Sequence, residues 1–281
     1  MRWTPGDRSN IEDRRGSSAR MGAVPMGIGG ILVLLVLSWF TGIDFLSLVG
    51  DGGVPQTQTD PVGTTGPVTA TPEEEHMVDL VDVVMADTQA TWSRLLPNFQ
   101  PTTAVLFRDA TNSTCGFAES AVGPFYCPGD RKVYLDLNFF NELHKRFGAP
   151  GDFAQAYVLA HEVGHHVQAL TGTETRVRQL QQSNPSARNE LSVLMELQAD
   201  CYAGVWGHSA SRSGGKVELD PGDLEEGLRA ASAIGDDTIQ KRSTGRVMPD
   251  KFTHGSSEQR VTWFRRGFET GDPNACNTFQ D

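Results

Sequence analysis

The chain has 281 residues, which is enough for one or two domains with a sizeable core. Hydrophobic residues make up 38% of it and charged residues 21%, and this composition excludes a wholly disordered chain. With 24 basic against 35 acidic residues the formal net charge is −11, which excludes a general nucleic-acid-binding protein because such a protein needs a basic face.

An uncharged, apolar run occupies residues 21–43. A helix of this length spans roughly 30 Å, the thickness of the hydrocarbon core of a bilayer. Five arginines precede the run and the next basic residue is Arg94, an asymmetry that predicts a cytoplasmic N-terminus. We therefore predict a cytoplasmic head (1–20), a single-pass signal anchor (21–43), a flexible tether (44–70) and an extracytoplasmic domain (71–281). A cleaved signal peptide and a buried core helix remain as alternatives for the apolar run.

Helices dominate the predicted elements of the domain. The first helix is predicted from the capping residue Thr71 to Pro97, with Glu74 completing a capping box. Strands are predicted at 103–107, 124–127 and 132–137, the last two joined as a hairpin by a Pro-Gly-Asp turn. Further helices are predicted at 138–148, 152–171, 174–182, from 186 past 206, at 220–235 and at 256–271. Few early strands followed by many helices are typical of an α+β fold that is predominantly helical.

The predicted helix over 152–171 carries the pattern His-Glu-x-x-His. His161 and His165 are four residues apart and therefore lie on one face, where two imidazoles can share one Zn²⁺. Glu162 lies about 100° around the helix, so it is badly placed to bind the metal but can reach a water molecule bound to the metal. This division into two ligands and one general base is typical of zinc hydrolases.

A third ligand is predicted on the next long helix. A catalytic zinc uses three protein ligands and keeps one open position, and Glu196 would supply the third. Asp200, one turn further, would accept a hydrogen bond from the second nitrogen of a ligating imidazole. Because the residues around these two carboxylates are almost all apolar, both carboxylates need a strong partner such as a metal site.

At these motifs the chain resembles the bacterial neutral zinc metallopeptidases, which are membrane-anchored proteins of the zincin type. The segments that carry the resemblance are SNIEDRRG, GPFYCPGDRKVYLDL, AHEVGHHVQ, ELQADCYAGVW and HGSSEQRVTWFRRGFETGDP. The spacing of Glu196 and Asp200 is similar to that of the gluzincins. The resemblance implies a zincin-like domain at the bacterial cell membrane that hydrolyses peptide bonds with Glu162 as general base. It also implies that an edge strand before the active-site helix holds the substrate, which would be residues 132–137 here.

A donor for the oxyanion of the reaction is harder to assign. His254 comes just before a predicted helix N-terminus and is the first candidate, although a loop histidine bonded to the backbone fits the pattern equally well. Tyr157 and Arg260 are weaker candidates. His166 points about 100° away from His165 and is expected to support the ligands or the fold without binding the metal. His76, His144 and His208 are expected to be ordinary surface or core residues.

All four cysteines follow the predicted anchor and would lie where disulfides persist. Three pairings are possible, and we prefer Cys115 with Cys127 and Cys201 with Cys276. The sequence thus predicts a membrane-attached zinc peptidase acting on a peptide or protein. Two alternatives stay open, a zinc-stabilised binding or scaffold module of the cell envelope and a zinc amidase acting on cell-wall peptides. The oligomeric state and the cleavage specificity are not predicted.

Overall fold

The computed structural model describes residues 1–17, 68–212 and 214–279. The predicted anchor at 21–43 and most of the predicted tether lie outside these residues. No helix in the described ranges combines the length and the apolar character needed to cross a bilayer.

Helices form most of the described domain, as the sequence predicts. Their bounds are α1 Pro72–Leu95, α2 Asn138–Lys145, α3 Asp152–Thr171, α4 Thr173–Ser183, α5 Arg188–Ala210, α6 Asp223–Ala233, α7 Asp236–Thr244 and α8 Ser257–Thr270. Two differences concern helix ends. Thr71 accepts the hydrogen bond from the Glu74 amide at 3.2 Å, but the Glu74 side chain binds Arg108 and not the cap. The single helix predicted over 220–235 begins later, and α7 follows it as a separate helix.

The strands of the described residues form one four-stranded sheet and two small pairs. Their bounds are β1 Arg2–Trp3, β2 Ile11–Asp13, β3 Thr103–Phe107, β4 Ala110–Ser113, β5 Gly116–Glu119, β6 Phe125–Cys127, β7 Lys132–Asp136 and β8 Val217–Glu218. The larger sheet has the order β2-β3-β7-β6, and β6 pairs with β7 in the predicted antiparallel hairpin. The hairpin of β4 and β5 was not predicted, because its short polar strands lack a strong alternation of apolar residues.

Residues 1–17, which we call the N-terminal segment, are part of this architecture. β1 pairs antiparallel with β8, and β2 pairs parallel with β3. We expected these residues to form a separate head, and the structure differs because their backbone groups complete two sheets of the domain. The predicted boundary at residue 20 therefore does not separate the N-terminal segment from the fold.

The core surrounds α3, which packs against α1, α5 and α6. Phe153, Tyr157 and Trp206 are fully buried in it. Both preferred disulfides are present, one between Cys115 and Cys127 and one between Cys201 and Cys276. The second ties α5 to the C-terminal region, and α5 is the helix that carries the predicted third ligand. The described chain is thus an α+β fold, predominantly helical, with its central helix in position to carry a site.

Candidate metal centre

The site lies where α3 approaches α5. Helix α3 starts after Gly151, whose φ of 113° favours glycine, and ends at Gly172 in the left-handed conformation. Both ends agree with the prediction. Gly164 permits the close approach of the two helices, because a Cβ atom there would lie 3.0 Å from the Ala199 carbonyl oxygen. Ala199 lies between Glu196 and Asp200, so this contact brings both carboxylates to the histidine face of α3.

Three predicted ligands converge at this contact. The Nε2 atom of His161 lies 3.2 Å from Oε2 of Glu196, and the Nε2 atom of His165 lies 3.4 Å from Oε1. One ligand atom from each of the three residues falls within 4.8 Å of the others. Ligands bound to zinc at about 2.0–2.2 Å in tetrahedral geometry are separated by about 3.3–3.6 Å. The three side chains therefore fit a zinc ion, and among the described residues this is the one group that does so.

Both histidines are oriented by an acceptor at the other ring nitrogen. Nδ1 of His161 lies 2.9 Å from Oδ1 of Asp200, and Nδ1 of His165 lies 2.8 Å from Oε1 of Gln168. A carboxylate or an amide oxygen only accepts, so each Nδ1 carries a proton and each Nε2 is the nitrogen that would bind the metal. Such partners fix the tautomer that a metal ligand needs. Asp200 thus lies where the sequence predicts it.

A buried ion pair supports Asp200. Arg260 donates to Oδ2 through Nε at 2.8 Å and to Oδ1 through Nη2 at 2.9 Å, and Tyr157 donates to Oδ1 through its hydroxyl at 2.5 Å. Asp200 is 0% exposed and Arg260 2% exposed. Although burial opposes the charged form, Arg260 and His161 hold the pKa of Asp200 below its usual value. The hydroxyl proton of Tyr157 is therefore used by Asp200, whereas Arg260 also lines the cleft and has further N–H groups, so its candidacy as oxyanion donor stays a prediction.

The ligand carboxylate is kept ionised. Burial raises the pKa of Glu196, but the charges of His165 and His161 outweigh burial and hold it well below its usual value. Because the charge of Asp200 is balanced by Arg260, the carboxylate of Glu196 remains to face a divalent cation.

The two histidines, Glu162 and Glu196 line one wall of a cleft of about 960 Å³. Glu162 is only 6% exposed, and it borders the same space as the ligands. Apolar side chains line much of the rest (Val122, Phe125, Phe139, Phe147, Val158, Met195, Ile234 and Ile239). The group that would hold the metal is therefore open to a molecule in the cleft, on a largely apolar surface.

His254 also lines the cleft, at the loop before α8. Its Nδ1 atom lies 3.2 Å from Oδ1 of Asp236. Oδ2 of Asp236 accepts from the backbone amides of Thr253, His254 and Gly255 at 2.7, 2.7 and 3.1 Å. The hydrogen bond to Asp236 raises the pKa of His254 above its usual value. The imidazole is thus held by a carboxylate as well as by the loop, which the sequence did not predict.

The prediction that residues 132–137 form an edge strand that holds the substrate was wrong. β7 (Lys132–Asp136) lies between β3 and β6, so its backbone groups already pair on both sides. The edge of the sheet on this side is β6, and its residues Phe125 and Tyr126 line the cleft. The prediction failed because the parallel pairing of β3 with β7 is a long-range contact that no local pattern reveals.

Gln168 and Asp236 are the residues that the sequence analysis missed. Gln168 follows His165 by three residues on the same helix. It is 0% exposed, and a glutamine is rarely so buried unless it has hydrogen-bond partners. That spacing was a usable signal. Asp236 had none, because it meets His254 only through the packing of α7 beside the loop. His166 contacts Tyr126 and the Gln100 carbonyl oxygen, away from the ligand atoms, as expected.

The chain is similar to a known protein family over nearly its whole length. The family described as "Putative neutral zinc metallopeptidase" matches residues 1–279. The chain is 47% identical over 293 residues to "Uncharacterized protein YpfJ" of Escherichia coli, with 99% of each chain covered. It is 47% identical over 198 residues to "Uncharacterized protein Rv2575" of Mycobacterium tuberculosis, covering 68% of this chain and 66% of that protein. No solved structure matches the chain significantly.

Proposed function

We propose a zinc-dependent peptidase activity on peptide or protein substrates for this chain, which belongs to the family of neutral zinc metallopeptidases. The observation that carries the proposal is the convergence of two imidazole Nε2 atoms and the Glu196 carboxylate in the wall of an open cleft, with Glu162 beside them. Structural zinc sites are closed by four protein ligands, whereas catalytic sites have three and an open position. The three ligands found among the described residues favour catalysis over an envelope scaffold.

The roles of the side chains follow from their positions. Zinc held by His161, His165 and Glu196 would activate a water molecule and polarise the carbonyl group of the scissile peptide bond. Glu162 accepts the proton of that water and returns a proton to the nitrogen of the leaving amine. His254, oriented by Asp236, donates a hydrogen bond to the oxyanion that develops in the transition state.

The cleft suggests how a substrate is held. An extended peptide can add to β6, the edge strand of the described sheet, through main-chain hydrogen bonds. Such pairing selects little for side chains, so selection is expected from the apolar lining of the cleft. We further propose that residues 21–43 attach the protein to the bacterial cell membrane. The domain then faces the extracytoplasmic side, where its two disulfides persist.

The test is a pair of glutamate substitutions in the cleft. Glu162→Gln removes the proposed base, whereas Glu174→Gln makes the same change at another residue of the cleft lining. With a library of fluorogenic peptides, we expect Glu162→Gln to lower kcat/KM by about 10²–10⁴-fold while zinc content stays at one per chain. Glu174→Gln should keep both activity and zinc. Chelation should abolish activity, and added zinc should restore it.

Equal cleavage by the Glu162→Gln variant and the parent would contradict the role of Glu162. Zinc binding with no cleavage of any peptide or protein would favour the scaffold alternative. Cleavage of peptidoglycan fragments without cleavage of linear peptides would favour the amidase. The same protein preparations serve for all three comparisons.

A further inference from the structure

The N-terminal segment is joined to the domain by backbone pairing at two separate places. Arg2 lies opposite Glu218 in the pairing of β1 with β8, and Ile11 lies opposite Ala104 in the pairing of β2 with β3. Beyond the strand ends, the Arg14 amide donates to the Leu106 carbonyl oxygen at 2.7 Å. A segment paired in two sheets cannot be separated from its partners by the thickness of a bilayer.

A buried carboxylate of α1 depends on this segment. Asp82 is 1% exposed, and its oxygens accept from the backbone amides of Arg8 and Asn10 at 3.0 and 3.1 Å and from Nδ2 of Asn10 at 3.0 Å. Gln89, also on α1, donates to Oδ1 of Asn10 at 3.0 Å. A buried carboxylate without partners is costly. Removing the segment would therefore leave the inner face of α1 with unsatisfied polar groups.

The described chain stops at residue 17 and resumes at residue 68, and Glu74 connects residues on both sides of this gap through Arg15 and Arg108. Arg15, whose side chain is 2% exposed, lies 3.1 Å from Glu74 and 2.9 Å from Glu75. Arg108 lies 2.7 Å from Glu74 and donates to the Thr69 carbonyl oxygen at 2.8 Å. Residues on either side of the gap are thus held at the start of α1.

We propose that the N-terminal segment is a permanent part of the folded domain and lies on the same side of the membrane as the metal centre. The apolar run 21–43 then attaches the protein to the membrane without carrying residues 1–17 to the opposite side. This revises the orientation that the arginine distribution predicts for the N-terminus. Two of the five arginines behind that prediction, Arg8 and Arg15, form ion pairs with acidic residues of α1.

A cross-link between β1 and β8 tests the proposal in the full chain at the membrane. Arg2 and Glu218 are opposite each other and both side chains are partly exposed. Opposite residues of an antiparallel pair have Cβ atoms about 4.5–5.5 Å apart, which a short bis-maleimide spans. The Arg2→Cys/Glu218→Cys variant should give an intramolecular cross-link in membranes of the expressing cells. The control Arg2→Cys/Arg265→Cys, whose second site lies on α8, should give none.

A second measurement covers the case in which the double variant fails to fold. Pro5→Cys and Arg265→Cys are single changes at exposed positions of the segment and of the domain. A membrane-impermeant maleimide applied to intact spheroplasts should either label both or spare both. Labelling of one position with protection of the other until the membrane is permeabilised would overturn the proposal. A cross-linked dimer in place of the monomer would overturn the assignment of the segment to its own domain. Neither measurement depends on peptidase activity.

Discussion

Replacing Asp200 by asparagine tests the proposed support of the metal centre. The carboxylate of Asp200 is fully buried and receives four hydrogen bonds, from Tyr157, from His161 and two from Arg260. Asparagine keeps the shape and one acceptor oxygen, but it cannot balance the charge of Arg260. Breaking a buried ion pair by removing one partner costs about 3–5 kcal/mol of unfolding free energy. For a domain of this size that corresponds to a Tm lower by about 6–20 °C.

The same change should weaken zinc binding. An imidazole that donates to a carboxylate is a more basic ligand than one that donates to an amide oxygen. Loss of such a partner costs about 10–100-fold in metal affinity. We expect this loss for Asp200→Asn, measured by competition with a chelating dye. The Tm is measured separately by calorimetry on zinc-free protein.

Asp87→Asn is the matched control. Asp87 is also buried and accepts hydrogen bonds from Trp206 Nε1 at 2.9 Å and from the Lys216 amide at 2.8 Å, but it does not contact the metal ligands. This variant should lower the Tm and leave zinc affinity unchanged. The reasoning is refuted if zinc affinity of Asp200→Asn stays within twofold of the parent, or if both variants weaken zinc equally.

Three further outcomes are expected. His254→Ala should lower kcat by about 10²–10³-fold with zinc content unchanged, and an unchanged kcat would exclude His254 as the oxyanion donor. Gly267→Ala should lower the unfolding free energy by about 3 kcal/mol or more, because the new Cβ atom would lie 1.9 Å from the Cys201 carbonyl oxygen. Denaturant titrations measure this loss, and a loss below about 1 kcal/mol would contradict the packing. Acid should weaken the attachment of the N-terminal segment to α1. The hydrogen bond from Arg8 lowers the pKa of Glu75. The stabilisation by the Glu75 carboxylate is therefore fully present above the ordinary pKa of a glutamate, about 4, and is lost as the pH falls through the lowered pKa. Hydrogen exchange of residues 11–13, corrected for intrinsic rates, should accelerate below that pH, and constant protection would contradict the prediction.

Local sequence patterns were sufficient for the helices and for the residues that converge in the candidate metal centre. The spacing of His161 and His165 requires only one helical turn, and both lie on α3 with the predicted bounds. Glu196 and Asp200 were found because ionisable residues in an apolar helix need a partner. The Cys201–Cys276 pairing was the preferred one of three possible pairings, and the structure confirms it. Each of these inferences depends on residues within one helix or on simple counting.

The positions of Asp236, β7 and the N-terminal segment were decided by tertiary structure. Asp236 reaches His254 across 18 residues of chain, and β2 pairs with β3 across more than 90. A charge distribution that predicts membrane orientation cannot distinguish arginines near lipid headgroups from arginines paired with a helix. Local patterns report the backbone preferences and the buried face of one element. Which elements meet depends on the packing of the whole core, and that packing determined the edge of the sheet, the support of His254 and the place of residues 1–17.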